Sequence, residues 1–118
     1  MLLPITSALL LLSVVLPAAS QLGQWAKAAG LKYFGTAVDN PGLGYQAYMR
    51  IARDAAEFGS VTPANGQKWS NTEPSQGQFT YGSGDAIVNV AKQSGQLLRC
   101  HTLVWHNQIP GFGQSFPS

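Results

Sequence analysis

Three short apolar runs, YFGTAV at 33–38, SVTP at 60–63 and LLRCHTLV at 97–104, alternate with two segments of helical periodicity, and this order constrains the fold more than any other feature. In the first helical segment Tyr45, Tyr48, Met49, Ala52, Ala55, Ala56 and Phe58 recur at helical spacing, predicting a helix over 45–58. In the second, Ala86, Ile87, Val90 and Ala91 mark a helix capped by Ser83 or Asp85 and stopped near Gly95. A shorter helix over 22–29, closed by Gly30, precedes the first run. Strand, helix, strand, helix, strand implies an α/β fold with parallel neighbours joined by right-handed crossovers. Ligands of such folds gather beyond the carboxyl ends of the strands. The polar and aromatic residues collect there: Asp39 and Asn40 after the first strand, 65–73 after the second, and 105–108 after the third.

The third of these segments, RCHTLVWHNQIP at 99–110, is the densest in chemistry. With period 2, Leu97, Arg99, His101, Leu103 and Trp105 share one strand face, and Leu98, Cys100, Thr102, Val104 and His106 the other. An indole beside an imidazole and a carboxamide suits a sugar, whose C–H face stacks on rings while its hydroxyls take hydrogen bonds. A buried core strand, with His101 satisfied by a backbone carbonyl, is the competing reading of the same residues. Cys100 is the only cysteine, which excludes an internal disulfide, and mid-strand it reads as a buried, inert thiol. Zinc binding by Cys100, His101 and His106 is disfavoured, because strand alternation sets Cys100 opposite His101.

Residues 1–20 carry no charged side chain and hold an apolar run over 8–16, broken only by Ser13 and followed by Pro17, Ala18, Ala19 and Ser20. They read as a secretory signal peptide cleaved before Gln21, with Ala18 and Ser20 at the −3 and −1 positions. The run is too short to span a bilayer comfortably. In the remainder, Lys27, Lys32, Arg50, Arg53, Lys68, Lys92 and Arg99 are scattered, and the formal net charge is +2. Neither a nucleic-acid footprint nor one for an anionic membrane surface is present in that pattern. An extracellular protein that meets a neutral substrate fits it.

The segments KYFGTAVDN, EFGSVTPANGQKWSNTEPSQGQF and LLRCHTLVWHNQIP together resemble the opening third of glycoside hydrolase family 10, the endo-β-1,4-xylanases. The corresponding family patterns run approximately FGTA, VTPENSMKWxxxEPxxGxF and RGHTLVWHxQxP. The resemblance spans 21–118 and implies a (β/α)8 TIM barrel of about 250 residues, of which about the first three βα units are present. It implies xylan or xylo-oligosaccharides as partners, no metal or organic cofactor, and a monomer where the full barrel is present. By the same resemblance Lys68, His101 and Trp105 surround the xylose next to the cleavage point, while Asn65 and Gln108 contact the next sugar out. Glu73 before Pro74 matches a structural Glu-Pro loop, and Trp69 packs beneath it.

Retaining glycosidases use two carboxylates about 5 Å apart, one as acid/base and one as nucleophile. In the family the acid/base glutamate follows strand four and the nucleophile lies on strand seven. The acids of this chain are Asp39, Asp54, Glu57, Glu73 and Asp85, and none stands in a matching motif. Asp54, Glu57 and Asp85 read as solvated helix or cap residues. Asp39 is the most site-like, but one carboxylate cannot fill both roles, so no catalytic residue is assigned. Several positions depart from the family pattern. Ala64 stands where many members have a glutamate, Cys100 replaces a glycine, and Phe112 lies near a usual tryptophan. Gly66 and Gln67 replace a small residue and a methionine, which is expected to loosen the loop and put a polar group where packing is usual. Two functions follow as expectations. One is a piece of a secreted endo-xylanase, inactive alone; the other is a noncatalytic xylan-binding short product or a nonfunctional remnant.

Overall fold

The computed structural model describes residues 21–115, so the signal-peptide reading of 1–20 lies outside the described residues. Three strands, β1 (Gly35–Val38), β2 (Ser60–Pro63) and β3 (Leu97–Leu98), form a parallel sheet in the order β1-β2-β3. The register pairs Val38 with Pro63 and Val61 with Leu98. Among the described residues four helices accompany the sheet: α1 (Leu22–Ala28), α2 (Gln46–Ala52), α3 (Trp69–Thr72) and α4 (Gly82–Gln93). Single 3₁₀ segments cover Asn40–Gly44 and Gly111–Ser115. No helix among the described residues is long and apolar enough to cross a membrane.

The core lies on one face of the sheet. Val38 and Val61 from the strands meet Met49 and Ala52 of α2 and Ile87, Val90 and Ala91 of α4, with Leu43 and Leu98 at its margin. Val38, Val61 and Ile87 have no exposed surface. On the opposite face Gly35, Ala37, Thr62 and Arg99 line an open concavity. This division is what a barrel wall requires: helices cover the outside, and the inner face awaits side chains from other strands. Gln96 ties the layers together, its Nε2 donating to Ala52 O at 2.9 Å and Phe58 O at 2.8 Å.

Several predicted elements differ in extent: the first strand, expected over 33–38, covers Gly35–Val38, and the first helix, expected over 22–29, ends at Ala28. The helix expected over 45–58 ends at Ala52. Asp54 Oδ1 accepts the Ala56 amide at 2.9 Å, a local turn that competes with helical bonding and leaves Ala55 and Ala56 exposed. The second crossover helix begins a residue before Ser83, with Tyr81 at the N-cap and no side-chain cap bond. The strand expected over 97–104 stops at Leu98. The Arg99 amide donates to Val61 O at 2.9 Å, and the next donor along β2 would be Pro63, which has no N–H. Cys100, outside the shortened strand, is therefore exposed and not buried. Glu57 is also unlike its expectation: it is buried, and its Oε2 accepts the Leu22 amide at the start of α1.

Candidate functional site

The loops that leave β1, β2 and β3 meet at one end of the sheet, and Asn65 stands at their junction. Its Nδ2 donates to Asp39 Oδ2 at 2.7 Å. Its Oδ1 accepts from Lys68 Nζ at 3.0 Å and from Gln108 Nε2 at 3.0 Å. Its backbone carbonyl accepts from the Lys68 amide at 2.9 Å and from Asn71 Nδ2 at 3.0 Å. One carboxamide thus joins residues from all three loops.

Each partner is held in turn. Asp39 caps the 3₁₀ segment through its Oδ1, which accepts the Asn40 amide at 3.0 Å. Asn40 Nδ2 reaches Ser83 O at 2.9 Å, linking the rim to the start of α4. Gln108 has φ +56, in the left-handed region that non-glycine residues seldom adopt. Its carbonyl accepts the Ser70 amide at 3.1 Å, and its amide donates to Asn107 Oδ1 at 2.9 Å. Together with the bond to Asn65 these contacts over-determine the backbone there, which is where such strain is tolerated. Burial and the nearby Asp39 charge raise the Tyr48 phenol above its ordinary value, in that order. The Tyr48 hydroxyl donates to Ala37 O at 3.1 Å.

His101 and Trp105 form the second half of the rim. Their rings stand 6.0 Å apart in a T-shaped arrangement, so the two are neighbours as expected, although turns and not an extended strand bring them together. A cis peptide bond joins His101 to Thr102. His106, assigned by alternation to the opposite face, packs its ring 4.3 Å from Trp105. Period 2 fails there because the strand has already ended. Trp105 is 41 % exposed.

Below the rim, Trp69 Nε1 donates to Glu73 Oε2 at 2.9 Å, and its ring meets Phe112 edge-on at 5.7 Å. Glu73 Oε1 also accepts the Gly77 amide at 2.8 Å. These two donors, the indole first, hold the Glu73 carboxyl below the ordinary carboxylate range. Glu73 thus closes its loop, and Trp69 packs inside it.

Two residues of this constellation do more than the sequence reading gives them. Asp39, the most site-like acid by its position directly after β1, is also the anchor of Asn65. Gln67 was read as a polar intrusion, yet its Oε1 accepts the His101 amide at 3.2 Å. Gly66, expected to loosen the loop, is buried instead: a Cβ there would lie 2.8 Å from both Asn40 Oδ1 and Ser83 O.

Residues 21–116 match the family model of glycosyl hydrolase family 10. The chain is 51% identical over 108 residues to endo-1,4-beta-xylanase D of Talaromyces funiculosus, covering 92% of this chain and 26% of that protein. It is 52% identical over 100 residues to endo-1,4-beta-xylanase 1 of Humicola insolens, covering 84% of this chain and 23% of that one. Among solved structures, an endo-1,4-beta-xylanase of Penicillium canescens superposes with a TM-score of 0.73 at 35% identity, over 83% of this chain and 30% of that one. A xylanase of Bispora sp. MEY-1, solved with xylobiose, gives 0.71 at 38% identity over 77% of this chain and 28% of that one. The chain therefore spans about a quarter of the length of the relatives it matches. These neighbours are (β/α)8 barrels, and the three parallel strands with their helices correspond to part of one. By the match over 21–116 and by this shared architecture, the chain belongs to glycosyl hydrolase family 10.

Proposed function

We propose that the chain is part of a secreted endo-1,4-β-xylanase, which hydrolyses internal β-1,4-xylosidic bonds of xylan with retention by double displacement. Its share of that work is to hold the sugars on one side of the bond that breaks. The observation that carries this reading is the Asn65 junction, where one carboxamide orients Lys68 and Gln108 from two different loops on a carboxylate from a third. Lys68 offers an ammonium and Gln108 a carboxamide to vicinal hydroxyls, and Asn65 fixes both. Trp105 supplies an apolar wall for the C–H face of a xylose, and His101 a ring nitrogen beside it.

The acid/base and the nucleophile belong, in this reading, to strands other than β1–β3. In this reading Asp39, Glu57 and Glu73 take neither role, which is supported by the bonds of Asp39 to Asn65, of Glu57 to the start of α1 and of Glu73 to Trp69. Residues 21–118 alone are accordingly expected to be inactive. The exposed apolar side chains on and after β3 support a larger protein, since Leu97, Leu103 and Val104 are 58%, 88% and 67% exposed. Secretion rests on the apolar, uncharged pattern of 1–20, and a single barrel is expected to act as a monomer.

The test is the intact mass of the secreted native protein, identified through peptides from VTPANGQKWSNTEP. A mass several-fold above that of residues 21–118 is expected. A mass equal to that of residues 21–118 would favour a noncatalytic xylan-binding product or a remnant.

A further inference from the structure

Between the two halves of the rim stands Gln67, immediately before Lys68 and half-buried. Its Oε1 accepts the His101 backbone amide at 3.2 Å, which bridges the loop after β2 to the segment after β3. Its stem lies over the bare backbone of Gly84 in α4, where a Cβ would come within 3.1 Å of Gln67 Cγ. The side chain also lines a cleft of about 500 Å³ together with Thr72, Tyr81, His101 and Leu103. The family pattern carries methionine at this position. A thioether is a weak acceptor and cannot hold an amide N–H as a carboxamide oxygen does.

We propose that Gln67 is a positioning residue of this chain: by holding the His101 backbone it sets where the imidazole, and the Trp105 ring beside it, stand relative to Lys68. The assignment rests on the xylose-binding reading above and deepens it. Lys68 is held by Asn65, and His101 is held by the neighbour of Lys68, so the sugar-facing groups of the two loops share one frame. Loss of the oxygen acceptor lets the His101 segment drift with respect to Lys68, although Gln67 itself touches no sugar.

The test uses the native secreted protein and its Gln67→Met, Gln67→Glu and His101→Ala variants. Gln67→Met is expected to lower kcat/KM on xylotriose about three- to tenfold, the range of one net hydrogen bond. The change should fall mainly on KM, and hydrogen exchange at the His101 amide should accelerate. Gln67→Glu, which keeps an oxygen acceptor at the same reach, is expected to restore most of the slow exchange and of kcat/KM. Unchanged exchange and kcat/KM in Gln67→Met would overturn the assignment. So would equal losses in Gln67→Met and Gln67→Glu that track a common fall in unfolding temperature, since packing alone would explain them. Turnover that is lost in His101→Ala but intact in Gln67→Met overturns this inference and leaves the xylanase reading standing. Absence of xylan turnover by the native protein overturns both.

Discussion

Asp39 Oδ2 accepts the Asn65 side-chain amide at 2.7 Å, and through this bond the end of β1 sets the direction of the one carboxamide that orients Lys68 and Gln108. The geometry fixes which atom of Asn65 faces which partner. A carboxylate can only accept, so the amide nitrogen must face Asp39, and the carbonyl oxygen is left for the two donors.

Replacing Asn65 with aspartate places a second carboxylate against Asp39. Two such groups at hydrogen-bond distance cannot both stay ionised without cost, so one takes up a proton at a raised pKa. Asn65→Asp is expected to be less stable than the native protein near neutral pH. The deficit should shrink as pH falls and the shared proton is gained. Thermal unfolding from pH 4 to 8 checks this, and a deficit independent of pH would speak against the Asp39–Asn65 contact.

Gly66→Ala is expected to destabilise the protein by roughly 1–3 kcal/mol, because the new methyl group would meet Asn40 Oδ1 and the Ser83 carbonyl, each at 2.8 Å. Since the Asn40 Nδ2 to Ser83 O bond of 2.9 Å lies in the same place, the substitution should also weaken xylo-oligosaccharide binding. Equilibrium unfolding and titration calorimetry of the same variant read the two effects separately.

Ile87 is fully buried between α4 and the sheet. Ile87→Ala removes a core side chain and leaves a cavity, at an expected cost of roughly 2–5 kcal/mol. Denaturant unfolding would show it. A loss below about 0.5 kcal/mol, the range typical of surface positions, would contradict the placement of the core.

Glu73 links stability to acid. Its carboxyl is held below the ordinary range by the Trp69 and Gly77 donors, so its contribution is fully present above the unfolded-state value. That contribution is lost as pH falls through the lower, folded value. Glu73→Gln, which sets an NH₂ against one of two N–H donors, should destabilise the native protein at neutral pH and flatten the acid limb of a pH–stability profile. An unchanged acid limb would show that the loop does not depend on the carboxylate.

Much of this arrangement was legible in the sequence, and the exceptions have common physical origins. The strand order and the bounds of β2 followed from apolar runs flanked by turn formers, and Gly30 and Gly95 do close their helices with φ of +81 and +65. The end of α2 was misplaced because Asp54 bonds the Ala56 amide, a local competition that apolar spacing does not reveal. The end of β3 was misplaced because the limiting residue, Pro63, lies on the neighbouring strand. His101 and Trp105 are neighbours, but turns and not a shared strand face bring them together, and period 2 places His106 wrongly. Asn65, Lys68 and Gln108 were named individually by family resemblance. The bond of Asn65 to Asp39, the reach of Gln108 to Asn65 and the grip of Gln67 on His101 are contacts across at least 26 residues of sequence that only the folded chain displays.

The central claim is most directly tested by following cleavage of xylotetraose by the secreted native protein with proton NMR. Retaining endo-hydrolysis predicts that the β-anomer of the new reducing end appears first and then mutarotates, with internal bonds cut. First appearance of the α-anomer, or a substrate left intact by the purified native protein, would contradict the account.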